Sequence, residues 1–176
     1  MRAIFVGAST TTVATARMLL KRRHEVVIIE QDKERIEALA ATLDCGFLHG
    51  DGGKPAILRE VGPERSDVLY CLTDHDQANI LASLVGRSLG FQRVVTKIQD
   101  PELVHVCIEL GLRDTIIPSL TIARYLGEMF EGHDPLEISA KIRGDARIFS
   151  FVIQEKDPRR LSELELPKKS RIVCLY

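Results

Sequence analysis

The sequence predicts an α/β fold, a parallel sheet with helices on both faces, followed by a small α+β segment. Three observations predict it. Apolar runs of strand length alternate with stretches of helical period along most of the chain. The first apolar run, IFV, stops at Gly7, where a strand would turn into a helix. After residue 135 the texture changes to short strand-like stretches separated by polar turns. At 176 residues, 45% of them hydrophobic, the chain has room for one packed core and a small appendage.

Taken in order, RAIFVG is expected to form the first strand, VVIIE the second, GFLHG the third, VLYCL the fourth and RVVTKI the fifth. A short TIIP strand completes a six-stranded sheet. Between the strands, Ile36, Leu39, Ala40 and Leu43 recur at helical spacing, as do Leu81, Leu84 and Val85 in a helix begun near Asp76. Both stripes are expected to face the sheet. Pro101 opens a further helix that should carry Leu103, Val104, Cys107 and Ile108 inward, with Gly111 to stop it. The segment 118–130 carries Ile122, Leu126, Met129 and Phe130 as a stripe, with Leu120 and Tyr125 on other faces. Part of that helix is expected to meet another subunit.

Gly132, His133, Asp134 and Pro135 read as a linker. Beyond it, LEISAKIRG, RIFSFVIQE and RIVCLY offer too little chain for a large independent core, and the sequence stops inside an apolar strand. The division expected is therefore residues 1–132 as one domain and 136–176 as part of a second, cut short or paired with a partner at its edge.

Several function classes lose support. Net charge is −1 and no basic stripe follows a helix, so no nucleic-acid partner is expected. No apolar run is long enough to cross a bilayer and no signal peptide precedes the first strand, so the chain is expected in the cytoplasm. Cys45, Cys71, Cys107 and Cys174 are dispersed, as are the five histidines. Neither set has metal-ligand spacing, and they are read as reduced or packing residues. No metal site and no catalytic constellation is expected.

The chemistry concentrates at the first turn. In a doubly wound, Rossmann-like sheet, a ligand sits beyond the carboxyl ends of the strands, where a G-x-G-x-x-G loop receives a pyrophosphate. Here the stretch reads GASTTT: Gly7 holds the turn, while Ser9 and Thr12 replace the later glycines. A Cβ at Ser9 crowds phosphates, and Thr12 either pushes the helix outward or is absorbed by repacking. Ser9, Thr10, Thr11 and Thr12 supply hydroxyls and amides at a helix N-terminus, where they cap the helix or meet an anion. Glu30 closes the second strand at the place of the acid that holds ribose hydroxyls. With no arginine at 31 or 32, it speaks against a 2′-phosphorylated cofactor.

The stretches KRRHEVVIIEQDKERI, FLHGDGGKPAILREVG, LTDHDQANILASLVGRSLG, VVTKIQDPE and LGLRDTIIPSLTIAR together carry a resemblance. The chain resembles the RCK or KTN domains (TrkA-N type) of Trk and Ktr potassium-uptake systems and ligand-gated potassium channels. Weaker similarity from 136 to 176 reaches the start of the family's C-terminal subdomain. The resemblance implies that Glu30 holds the ribose, that Gly50 and Asp51 lie by the adenine, that Thr73 and Asp74 border the cleft, and that Lys97 faces it. Asp76 and Asn79 would start the fourth helix. The family loop, G-x-G-R-x-G, has Thr10 in its arginine place here. Residue by residue, Asp51 also reads as a turn former, Asp74 and Asp76 as helix-start residues, and Lys97 as a lysine extending into water.

The resemblance implies a non-enzymatic cytoplasmic regulator of a potassium channel or transporter, held at the inner face of the membrane through its partner. It would bind an adenine nucleotide (AMP, ADP or ATP) or NAD/NADH, and work as a homodimer or a larger ring. Two other readings compete: a scaffold with a degenerate nucleotide site, and an NAD-dependent oxidoreductase, for which the tail after Pro135 is too small.

Overall fold

The computed structural model describes residues 1–130, which fall within the first of the two units, Met1–His133 and Asp134–Tyr176, into which the chain divides. The linker, the three C-terminal strand-like stretches and Cys174 lie outside the described residues.

Six strands form a single parallel sheet: β1 (Arg2–Val6), β2 (Glu25–Glu30), β3 (Gly46–His49), β4 (Val68–Cys71), β5 (Val94–Lys97) and β6 (Asp114–Ile116). Their order is β3-β2-β1-β4-β5-β6. The chain builds outward from β1 through β2 to β3, returns to the other side of β1 with β4, and builds outward again. This is the doubly wound, Rossmann-like order, and its switch point lies between β1 and β4.

The helices are α1 (Thr10–Lys21), α2 (Lys33–Ala40), α3 (Pro55–Glu60), α4 (Asp76–Ser88), α5 (Val104–Glu109) and α6 (Pro118–Phe130). Strand alternation divides the core. Ala3 and Phe5 point to the face covered by α1 and α2, joining Ala16, Val26, Ile28 and Leu43. Ile4 and Val6 point to the face of α3 and α4, joining Ile29, Leu58, Leu69, Cys71 and Ala82. Phe5 also stacks on Tyr70 across β1 and β4, ring centroids 4.8 Å apart. Burial in an apolar core pushes the Cys71 thiol up to about 12.

Three helix faces differ from expectation. Along α4 the buried residues are Asn79, Ala82, Ser83 and Gly86, while Leu81 is exposed and Leu84 and Val85 are half-buried. The helix lies too close to the sheet for larger groups there: a Cβ on Gly86 would sit 2.3 Å from Leu69 Cδ2. In α5 a 3-10 turn over Pro101–Leu103 precedes the helix; Cys107 is buried but Ile108 is exposed. Along α2, Ile36 and Leu39 are half-buried and Ala40 is exposed; Leu43 is buried only after the helix has ended. Along α6, Leu120, Ile122, Leu126, Met129 and Phe130 are all exposed.

Candidate functional site

The strands deliver the chemistry to their carboxyl edge. Gly7 follows β1, Glu30 ends β2, Gly50 and Asp51 follow β3, Thr73 and Asp74 lie beyond β4, and Lys97 ends β5. The parallel register places all of these at one end of the sheet.

Gly7 has φ +87°, a backbone conformation that side chains oppose, and its N–H donates to Ile29 O at 2.8 Å. A Cβ there would meet Thr73 Cγ2 at 2.8 Å and Thr73 Cα at 3.0 Å. The turn after β1 thus runs against the segment after β4, which is the switch point itself.

The next residue is held from both sides. Ala8 N–H donates to Glu30 Oε2 at 2.7 Å, and Ala8 C=O accepts from Arg35 Nε at 2.8 Å and Nη2 at 2.6 Å. Glu30 Oε1 accepts from Gln31 N at 2.7 Å and Asp32 N at 3.1 Å, so the carboxylate already faces the loop. Asp32 caps α2 through Glu34 N and Arg35 N. That cap starts the helix where the Arg35 side chain can reach back to Ala8. Although positions 31 and 32 carry no arginine, Arg35 comes to the loop from the first turn of α2.

Ser9 is the N-cap of α1. Its Oγ accepts from Thr12 N at 3.3 Å and lies 3.2 Å from Thr12 Oγ1. Thr12 is fully buried. Thr10 and Thr11, in the exposed first turn, have amides with no partner four residues back in the helix. Asp51 Oδ1 accepts from Gly53 N at 2.8 Å, the behaviour of a turn former, and Gly50 N donates to Glu30 O at 2.9 Å.

Asn79 organises the other side. Fully buried, it accepts from Thr73 N at 2.8 Å and Thr73 Oγ1 at 2.7 Å, and donates to Thr73 O and Lys97 O, each at 3.0 Å. Asp76 accepts from Gln99 N and Asp100 N, tying the start of α4 to the end of β5. Lys97 does not extend into water. Its side chain is 7% exposed and its Nζ pairs with Asp74 Oδ1 at 2.9 Å. That hydrogen bond first, and the lysine's charge second, hold the Asp74 carboxyl below the usual carboxylate range.

A family model described as the TrkA-N domain matches residues 3–118. The chain belongs to the TrkA-N family. Among its TrkA-N relatives, the Trk system potassium uptake protein TrkA homolog of Archaeoglobus fulgidus is 28% identical over 183 residues, covering 100% of this chain and 42% of that protein. The homolog of Methanothermobacter thermautotrophicus is 23% identical over 178 residues, covering 100% of this chain and 82% of that protein. The chain thus spans less than half the length of the first of these. Both are named as potassium-uptake proteins, not as enzymes.

Solved structures share the TrkA-N fold. The NAD(P)-binding domain of an exopolyphosphatase-related protein from Archaeoglobus fulgidus superposes with a TM-score of 0.68 at 16% identity, over 74% of this chain and 97% of that one. The GsuK channel bound to NAD gives 0.65 at 17%, over 72% and 23%. The Shewanella denitrificans Kef C-terminal domain in its AMP-bound form gives 0.62 at 14%, over 80% and 87%.

Sequence reasoning missed Arg35, whose contact with Ala8 depends on where Asp32 caps α2.

Proposed function

We propose that this chain is the nucleotide-responsive part of a potassium-transport system. It binds an adenine nucleotide (AMP, ADP, ATP or NAD/NADH) at the switch point and biases the arrangement of paired domains, which a membrane channel or transporter subunit reads at the inner face of the membrane. The observation that carries this reading is the Glu30 carboxylate, fixed at the end of β2 against the Ala8 amide, where the ribose of a nucleotide on this fold would lie. Membership of the TrkA-N family and the potassium-uptake names of the relatives support the transport role. The nucleotides named with the fold neighbours support the ligand class. A ligand can shift such a pair only by its difference in affinity for the two arrangements.

Calorimetry with AMP, ADP, ATP, NAD and NADH tests the proposal. Glu30→Ala should weaken binding by about 1.5–3 kcal/mol, the scale of a hydrogen bond to a charged group. A second reading, a scaffold that assembles without a ligand, draws on the Ser9 and Thr12 side chains in the glycine places, their hydroxyls turned on each other. It takes over if none of the five nucleotides binds.

A further inference from the structure

Lys97 is the one buried charged side chain among the described residues. Burying an ammonium is costly unless an anion accompanies it. The anion here is unusual in being on the surface: the Asp74 side chain is 75% exposed, against 7% for Lys97. The pair stands beside the ligand edge, since Asp74 follows Thr73, which packs on Gly7. The backbone around Asp74 is anchored, Thr73 by Asn79 and Asp74 O by Gln99 Nε2 at 2.9 Å. Its side chain is held by the lysine alone, through one of the three hydrogen bonds an ammonium can donate. Arg35 and His75 add weaker positive fields at the same carboxylate.

We infer that Asp74 is an internal substitute for a ligand phosphate: its carboxylate occupies Lys97 while the site is empty, and a nucleotide's phosphate gains Lys97 by displacing it. The inference rests on the nucleotide reading above and reassigns Asp74 from a border of the cleft to a competitor within it. The anchored backbone lets the carboxylate leave by side-chain rotation alone, without remodelling the turn. An exposed acid that stays nearby repels the incoming phosphate, so Asp74 weakens anionic ligands and leaves uncharged ones untouched.

The test is calorimetric titration of ADP and of adenosine into the protein, Asp74→Asn, Asp74→Glu and Lys97→Met. Asp74→Asn should bind ADP about five-fold more tightly, the effect of removing one partly screened charge beside a phosphate. Its adenosine affinity should match the parent's, and Asp74→Glu should resemble the parent with both ligands. Lys97→Met should weaken ADP selectively and abolish the gain from Asp74→Asn in the double variant. Should Lys97→Met fail to fold, the exposed Asp74 variants decide alone. Weaker ADP binding by Asp74→Asn, or an equal gain for ADP and adenosine, overturns the inference and leaves the nucleotide site standing. Binding of neither ligand by any variant overturns the site and the inference together.

Discussion

Ser9 and Thr12 occupy the places where a tighter phosphate loop has glycines, and each hydroxyl lies against the other. The cap and the buried methyl stabilise the start of α1, while the two side chains are expected to crowd a pyrophosphate. Ser9→Gly with Thr12→Gly should therefore separate the two effects. The double variant is expected to lose about 1–2 kcal/mol of stability, from a weaker cap, a helical glycine and a lost buried methyl. It should gain affinity for NAD relative to AMP. Denaturant unfolding and calorimetry on the same samples check both, and an unchanged ratio of the two affinities would show that these side chains do not obstruct phosphate. At the same scale, Glu30 was legible because a charged residue closing an apolar strand, one helix after Gly7, marks the ligand end of the second strand from sequence order alone. Arg35 was not legible, because its arrival at Ala8 depends on where Asp32 caps α2 rather than on any spacing from the loop. Nor was the partner of Lys97, whose burial follows from the turn beyond a neighbouring strand.

Among the elements, α4 shows how magnitudes of opposite sign meet at one residue. Alanine is favoured over glycine inside a helix by about 1 kcal/mol. At position 86, however, the added Cβ would lie 2.3 Å from Leu69 Cδ2, on a side chain with no exposure at the centre of the core. Overpacking of that kind costs about 1–3 kcal/mol, so Gly86→Ala should destabilise the protein despite the better helix former. A raised unfolding midpoint would mean that the helix moves outward at little cost. The same helix marks where sequence patterning stops short. The strands were legible as apolar runs bounded by turn residues, but of the α4 stripe Leu81 is exposed, and Leu84 and Val85 pack only at the margin of the core. The fully buried line of the helix is Asn79, Ala82, Ser83 and Gly86, suited to the sheet by small size and by hydrogen bonds to Thr73 and Lys97. Hydrophobic periodicity does not register a stripe of that composition.

For the whole molecule, the exposed Leu120, Ile122, Leu126, Met129 and Phe130 of α6 are more apolar surface than one helix of a monomer ordinarily leaves in water. Homodimerisation through this helix is the expected reason. Charged replacements at Tyr125 and Phe130 should shift sedimentation toward monomer without lowering the unfolding midpoint of the sheet. A parent that sediments only as monomer at high concentration would count against it. The strand order, finally, has a consequence in time. β1, β2 and β3 pair with near neighbours along the chain, so Gly7, Glu30 and Arg35 meet through short loop closures, whereas β4 must return past β2 and β3 to reach β1. Longer closures are slower. The half of the site that carries Glu30 is therefore expected to assemble first, and Lys97 to join after β4 has returned to β1. A nucleotide that needs both halves has nothing to grip in the folding transition state, so its stabilisation should appear as slower unfolding with the folding rate left alone.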